Sequence, residues 1–170
     1  RIGVKYLELA NRILELAKHH LGNIDQNILL ALADHIAFAI ERMSQKLKIS
    51  NPYASEIRLL NPDEYEVALQ ARNIIFEETG YEFDEEELGY ITLHLHCAKT
   101  SEQVDTNMQV AIVVNESLKK IESRFQIKID VNSLSYSRLM THIRYMIARI
   151  KKNEALTIDM DEFVKNKFPE

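Results

Sequence analysis

Apolar residues recur along the chain with the period of an amphipathic helix, and this pattern predicts an all-α fold. The first helix begins at Val4 and ends at Leu21, because Gly22 is a residue type that commonly terminates a helix. Asp25 is a suitable N-cap for a second helix. The apolar stripe of this second helix consists of Ile28, Leu29, Leu32, Ile36, Ala39, Ile40 and Met43.

Two Asn-Pro pairs mark the starts of the next helices. Proline fits the first turn of a helix and disfavours helical backbone in the residue before it. The first pair, Asn51-Pro52, therefore predicts a short helix, and the second, Asn61-Pro62, predicts a longer one. Asp84 then caps a fifth helix, whose first turn holds three glutamates where negative charge complements the helix dipole.

A polar segment at residues 101–106 has no apolar period and is predicted to be a linker. We place the boundary between two units near residue 103, which divides the chain into residues 1–103 and residues 104–170. Two further amphipathic helices are predicted in the second unit, starting near Met108 and near Asn132.

The second unit repeats the pattern of the first at an offset of 107 residues. A matched histidine and a matched arginine make this repeat more specific than a shared apolar period. The matched pairs are Leu32 with Leu139, His35 with His142, Ile36 with Ile143, Ile40 with Ile147 and Arg42 with Arg149. The counterpart of His94 would fall beyond Glu170, so the second copy is predicted to be truncated. Residues 157–170 are predicted to form a helix without its natural packing partner.

The composition is that of a globular protein, with 46% hydrophobic and 28% charged residues. We expect a cytoplasmic protein without membrane insertion, because no apolar run approaches the roughly 20 residues that span a bilayer and no signal peptide is evident. The single cysteine, Cys97, excludes an internal disulfide and a zinc site built from several thiolates. Since the sequence starts without methionine, we expect it to be a piece of a longer protein.

The formal charge of −5 argues against direct binding of nucleic acid by these residues. Such binding draws most of its affinity from clustered lysine and arginine side chains that neutralise phosphates. The doublets Lys119-Lys120 and Lys151-Lys152 are short and have glutamates nearby, so they are interpreted as solvated helix surfaces.

Six histidines are the candidate reactive groups. His35 lies in the apolar stripe of the second helix, and its repeat at His142 favours a chemical role, because an apolar residue would serve packing equally well. His94 and His96 are two residues apart, so on a helix they point in different directions and cannot chelate one metal ion. Residues 90–96 also alternate in the manner of a strand, on which the two rings would share a face, and that alternative stays open here.

Four segments carry a resemblance to a known family. They are residues 32–42 (Leu-Ala-Asp-His-Ile-Ala-Phe-Ala-Ile-Glu-Arg), residues 49–52 (Ile-Ser-Asn-Pro), residues 89–94 (Gly-Tyr-Ile-Thr-Leu-His) and residues 134–142 (Leu-Ser-Tyr-Ser-Arg-Leu-Met-Thr-His). On these segments the chain resembles the PTS regulation domain (PRD) region of BglG/SacY-type, LicT-like transcription antiterminators.

The resemblance implies a five-helix PRD at residues 1–103 and a truncated second copy of the same bundle at residues 104–170. It also implies an RNA-binding domain before Arg1, and a regulatory module without enzymatic activity or a cofactor. In this family the EIIB-type component of a sugar permease phosphorylates the PRDs to inhibit the protein, and the phosphocarrier HPr can phosphorylate them to activate it. Members of the family act as homodimers.

By position, the resemblance implies phosphorylation of His35 and His94 in the first unit and of His142 in the second. The candidate supporting residues are Asp34, Arg42 and Arg149. His96 stands where the family usually has an apolar residue, so no role is assigned to it from the resemblance.

Two other functions fit parts of the sequence. The same PRDs could belong to a DNA-binding transcriptional activator. The segment before Arg1 would decide between this activator and an antiterminator. A helical metal-dependent hydrolase would use His35, His94 or His96 together with Asp34 and the acidic residues 84–87. Negative charge is favourable in the first turn of a helix, which already explains the acidic residues 84–87. The histidines and carboxylates do not have a spacing that is typical of metal ligands, so no metal site is predicted.

Overall fold

The computed structural model describes residues 3–100 and 104–151, and all the regular secondary structure in these ranges is helical. The helices are α1 (Val4–Leu21), α2 (Leu29–Ser44), α3 (Ala54–Leu60), α4 (Pro62–Thr79), α5 (Glu85–Thr100), α6 (Val104–Phe125) and α7 (Leu134–Lys151), with a short 3-10 helix at Gln26–Ile28 before α2. The predicted all-α fold is confirmed, and the strand alternative for residues 90–96 is wrong because this segment lies within α5.

Helices α1 to α5 form the predicted five-helix bundle. Helix α1 packs against α2 and α4, and α5 packs against α4 and α2, so the apolar faces of these four helices share one core. Gly80 ends α4 with a left-handed backbone, φ 75°, which glycine adopts without strain. The fully buried large side chains of this core are Ile13, Leu14, Leu32, Ile36, Ile75, Phe83, Leu88, Ile91 and Leu95.

A second core joins α3 and α5 to α6 and α7. Its buried side chains are Ile57, Leu60, Leu93, Ala111, Val114, Leu118, Tyr136 and Met140. Helix α6 begins at Val104, so the part of the predicted linker from that residue to Thr106 is helical and the helix starts earlier than predicted. The division of the chain into two units near residue 103 stays a prediction.

A buried hydrogen-bond network crosses from α3 to α6 and α7. The Glu56 carboxylate accepts hydrogen bonds from the Tyr136 hydroxyl at 3.0 Å and from the Asn115 amide at 3.3 Å. Burial and the nearby Glu56 carboxylate raise the pKa of Tyr136, so its hydroxyl stays protonated and able to donate. This polar contact fixes the position of α7 on α3 in addition to the apolar packing.

Removing the Tyr136 hydroxyl tests that network. We expect Tyr136→Phe to lower the free energy of unfolding by about 2 kcal/mol, because Glu56 is buried and would lose a hydrogen-bond donor to its carboxylate. Urea denaturation with an unchanged slope would give this difference. Tyr145→Phe is the matched control, since Tyr145 lies exposed on the same helix. Equal stabilities for the two variants would contradict the role of the hydroxyl.

Helices α6 and α7 occupy the positions of α1 and α2 in the repeat of 107 residues. Most of the exposed large apolar side chains of the described ranges lie on this pair or the loop between its helices: Val113, Ile121, Phe125, Ile127, Val131, Leu134, Leu139, Tyr145, Met146 and Ile150. The predicted helix at residues 157–170 lies outside the described residues. In the part of the chain that the structure covers, no helix is both long enough and apolar enough to span a membrane.

Candidate functional site

The interface between α2 and α5 brings the two predicted histidines of the first unit together. His35 and Arg42 are seven residues apart on α2, which places them on one face of that helix. Glu87 and His94 have the same spacing on α5. The His35 and His94 ring centroids are 5.3 Å apart, and the Tyr90 ring lies 5.5 Å from that of His35. We refer to His35, Arg42, Glu87, Tyr90 and His94 as the His35 cluster.

Glu87 is the buried carboxylate of this cluster. It accepts a hydrogen bond from Arg42 at 2.7 Å, and its other oxygen lies 3.4 Å from His35 Nε2. The second distance is longer than that of a well-formed hydrogen bond, so the Glu87–His35 contact is mainly an electrostatic one. Burial alone would raise the pKa of Glu87, but His35 and Arg42 outweigh it and lower that pKa. The carboxylate is therefore ionised at neutral pH.

The N-terminal cap of α5 positions Glu87. The backbone N–H of Glu87 donates to the Asp84 side chain at 3.1 Å, which satisfies one of the free donors in the first turn. On the other side of the turn, the buried Asn51 side chain reaches the carbonyl of Glu86 at 3.4 Å. Asn51 also accepts a hydrogen bond from the Tyr53 backbone N–H at 3.2 Å. The Asn-Pro segment before α3 thus braces the turn of α5 that carries Glu87.

Gly89 allows this close approach. A Cβ atom at residue 89 would lie 2.8 Å from Asn51 Nδ2, closer than nonbonded carbon and nitrogen atoms pack. Because Asn51 is 4% exposed and held by its hydrogen bonds, it has little room to move away. The packing requirement explains a glycine inside a helix, where glycine costs about 1 kcal/mol relative to alanine.

Gly89→Ala is therefore expected to destabilise the protein by about 1–3 kcal/mol through overpacking against Asn51. In an Asn51→Ala background the clash is gone and only the helix propensity of alanine remains, so there the same substitution should be neutral or stabilising. Chemical denaturation of the four proteins of this double-mutant cycle measures the difference. The same loss in both backgrounds would contradict the packing explanation.

The side chain of His94 is half-buried at this interface. Its Nδ1 atom is buried without a hydrogen-bond partner among residues 3–100 and 104–151. This burial, together with the nearby His35, lowers the pKa of His94 to about 4. The imidazole of His94 is consequently neutral at physiological pH and keeps a nitrogen lone pair.

The other predicted site residues lie outside the His35 cluster. Asp34 is exposed on α2, so the carboxylate beside His35 is Glu87 and not its sequence neighbour. His142 is exposed on α7, and Arg149 is half-buried on the same helix. From the sequence, Glu87 was interpreted as part of an acidic first turn and, in the hydrolase alternative, as part of an acidic group that could hold a metal ion. The signal that could have found it is its spacing of seven residues from His94, which equals that of His35 and Arg42.

His96 points away from His94, as expected for residues two apart on a helix. Its Nδ1 lies 3.2 Å from Glu64 Oε1, which is also 3.2 Å from Lys99 Nζ. Within the described ranges, no group of three or more histidine, cysteine, aspartate or glutamate side chains is placed to hold a metal ion. The arrangement of these side chains therefore gives no support to the metal-dependent hydrolase.

Comparison with known proteins gives the family. The model of the PRD domain matches residues 11–98 and again residues 115–170, which supports the predicted repeat. The crystal structure of GlcT CAT-PRDI aligns with a TM-score of 0.56 and 34% sequence identity, covering 59% of this chain and 60% of that one.

Similar proteins are named as transcription antiterminators. The PtsGHI operon antiterminator of Bacillus subtilis is 38% identical over 118 residues, covering 69% of this chain and 42% of that protein. LicT of the same species is 31% identical over 150 residues, covering 88% and 54%. The GlcA/glcB genes antiterminator of Staphylococcus carnosus is 32% identical over 140 residues, covering 82% and 48%.

The chain spans about half the length of these relatives. They are regulators and not enzymes, and the resemblance to the PRD region of LicT-like antiterminators is confirmed. With two matches of one family model over most of its length, this chain belongs to the PRD domain family.

Proposed function

We propose that this chain is the regulatory module of a transcription antiterminator and that reversible histidine phosphorylation controls it. The observation that carries the proposal is the pairing of His35 with His94 at the α2–α5 interface, with Glu87 and Arg42 beside His35. Packing alone does not require two imidazoles in contact with each other and an ion pair with a buried carboxylate beside one of them. The names of the relatives favour an antiterminator over a DNA-binding activator.

A neutral imidazole is the form that accepts a phosphoryl group, because its nitrogen lone pair attacks phosphorus. The lowered pKa of His94 keeps that ring neutral at physiological pH. Phosphoryl transfer depends mainly on positioning and on charge stabilisation, both of which a donor protein can supply. Arg42 is 25% exposed and lies at the same interface, so it is available to pair with a phosphoryl oxygen.

Phosphorylation would change the balance of charge at this interface. A phosphoryl group adds nearly two negative charges at pH 7, and on His35 it would lie beside the ionised Glu87 carboxylate. Repulsion would favour a state in which Arg42 leaves Glu87 for the phosphoryl group, or in which α2 and α5 separate. Either outcome alters how α5 packs, and α5 also contributes Leu93 to the core shared with α6 and α7.

The remaining elements of the proposal follow from the family. We propose that HPr and EIIB-type permease components are the phosphoryl donors. We also propose that the functional form is a cytoplasmic homodimer, and that a domain before Arg1 makes the contacts with RNA. His142 is the proposed acceptor of the second unit, because it is the repeat of His35. Asp34, Arg42 and Arg149 are the proposed supporting residues, with Glu87 added by its contacts.

Intact-mass measurement tests this function. The chain is incubated with phosphoenolpyruvate, enzyme I and HPr, with or without an EIIB-type domain, and is compared with His35→Ala, His94→Ala and His142→Ala. We expect an acid-labile gain of one or more phosphoryl groups that the substitutions reduce. The absence of any gain with donors shown to be active on their own substrates would contradict the proposal.

A further inference from the structure

A second feature of the molecule is a half-open cavity of about 290 Å³ between the first bundle and helices α6 and α7. Apolar side chains form much of its wall, among them Leu60, Val110 and Ile147. Basic side chains from two different helices also line it, namely His96 of α5 with Arg144 and Lys151 of α7. This combination is typical of a site for a small molecule with an apolar body and an anionic group.

Arg144 is the first observation that points to an anion. The residue is half-buried, and no carboxylate forms an ion pair with it within residues 3–100 and 104–151. Its guanidinium carbon lies 5.3 Å from the centroid of the neighbouring Tyr145 ring. A half-buried guanidinium at the wall of a cavity is suited to bind an anion, since its planar fork matches phosphate and carboxylate oxygens.

The pairing of His96 is the second observation. Glu64 is buried and lies 3.2 Å from His96 Nδ1, so that nitrogen is occupied as a donor and Nε2 is left for another partner. The same Glu64 oxygen is also 3.2 Å from Lys99. Burial would raise the pKa of Glu64, but the hydrogen bond with His96 and the charge of Lys99 contribute to lowering it to about 2, so Glu64 is ionised and partnered by both side chains. The carboxylate therefore orients His96 without making the cavity acidic.

We propose that this cavity binds a phosphate-bearing small molecule, with Arg144 as the main partner of the phosphate, His96 Nε2 as a second hydrogen-bonding contact and the apolar wall in contact with the rest of the ligand. A phosphomonoester fits better than a carboxylate, because its several oxygens, one of which can carry a proton to donate to His96 Nε2, can meet groups on different helices while a carboxylate is satisfied by one guanidinium. The volume suits a small molecule. This binding does not depend on histidine phosphorylation.

A ligand in this position would tie α5 to α7. His96 belongs to the first bundle and Arg144 to the repeat, so one bound phosphate would contact both. A ligand that binds only the folded, assembled form stabilises it by mass action. The cavity would thereby make the packing of α6 and α7 on the first bundle sensitive to the concentration of an anionic metabolite.

Calorimetric titration of the whole 170-residue chain with three probes tests the proposal. Phenyl phosphate supplies both an apolar body and a phosphate, inorganic phosphate lacks the body, and benzoate carries a carboxylate in place of the phosphate. We expect phenyl phosphate to bind about tenfold more tightly than either of the others, and Arg144→Gln to weaken it at least about tenfold. His96→Gln should weaken it by a smaller factor.

Arg138→Gln is the matched control, because Arg138 is exposed on the same helix as Arg144. An equal loss in the two arginine variants would show diffuse attraction and overturn the site, as would the absence of saturable binding at millimolar phenyl phosphate. Equal affinity for benzoate would overturn the assignment to phosphate, and equal affinity for inorganic phosphate would overturn the role of the apolar wall. Far-ultraviolet circular dichroism checks that each variant is folded.

Discussion

Replacing Glu87 with alanine is expected to lower the free energy of unfolding by about 3 kcal/mol at pH 7. Glu87 is 4% exposed on its side chain and faces both Arg42 and His35, so its removal leaves a cation at the α2–α5 interface without its partner. Breaking one side of a buried ion pair costs more than the pair contributes, because the remaining charge stays desolvated. Partial exposure of Arg42 keeps the loss at the low end of the usual range.

Two comparisons separate this effect from general damage to α5. Glu85→Ala removes an exposed glutamate from the same first turn and should cost less than about 1 kcal/mol. Replacing both partners, Arg42→Met with Glu87→Leu, should recover most of the loss, since matched apolar residues often replace a buried pair without penalty. Urea denaturation measures all four stabilities. A loss in Glu87→Ala no larger than that in Glu85→Ala would contradict the role assigned to Glu87.

The second large effect is a loss of stability as the pH falls from about 6.5 to about 4. The pKa of His94 is lowered from its ordinary 6.5 to about 4, mainly by burial and further by His35. In this pH range the unfolded chain binds a proton at His94 that the folded protein does not. The part of the free energy of unfolding that depends on a neutral His94 is therefore fully present above pH 6.5. It is lost as the pH falls below that value, at up to about 1.4 kcal/mol per pH unit and by roughly 3 kcal/mol in total.

The variant His94→Phe should flatten this part of the stability profile, because it has no group to titrate there. Glu64 acts at lower pH, since its pKa is lowered from 4.5 to about 2 and its contribution is lost only below pH 4.5. His19→Gln is the control, because His19 is exposed at the end of α1. Denaturation midpoints from pH 7 to pH 4 give the comparison, and parallel profiles for wild type and His94→Phe would contradict the burial of a neutral His94.

The helices of this protein were largely predictable from local sequence signals. The period of apolar residues, the cap at Asp84 and the two Asn-Pro pairs all depend on interactions within a few residues, which a single sequence displays. Asp25, predicted to cap the second helix, instead caps the short 3-10 helix at Gln26–Ile28 that leads into α2. The strand alternative at residues 90–96 arose because a helix buried on several sides loses its polar face, as the many buried residues of α5 show. The start of α6 was placed too late because polar residues can begin a helix as well as form a linker.

The site was predictable only in part, because its partners come from different helices. The repeat of His35 at His142 and the family resemblance indicated which histidines to consider. Neither indicated that Glu87 faces Arg42, since that contact joins residues 45 positions apart and depends on how α2 crosses α5. Asp34 was chosen as a neighbour in sequence, although adjacent residues on a helix point in different directions.

Helix α5 has a central place in the proposed mechanism. One face carries Glu87 and His94 against α2, while Leu93 belongs to the core shared with α6 and α7. The cap at Asp84 and the bracing by Asn51 hold its first turn in place. A charge added at His35 therefore acts on an element that both cores share, which is a direct physical link between a modified histidine and the packing of the repeat.

The distribution of phosphoryl groups among the histidines of the wild-type chain tests the proposed phosphorylation switch. After reaction with phosphorylated HPr, peptide mapping by tandem mass spectrometry at neutral or alkaline pH preserves acid-labile phosphohistidine and locates it. We expect phosphoryl occupancy at His35 or His94 well above that at the exposed His19 and His20. Occupancy that follows exposure alone, or none at either of these half-buried histidines with an active donor, would contradict the proposed phosphorylation switch.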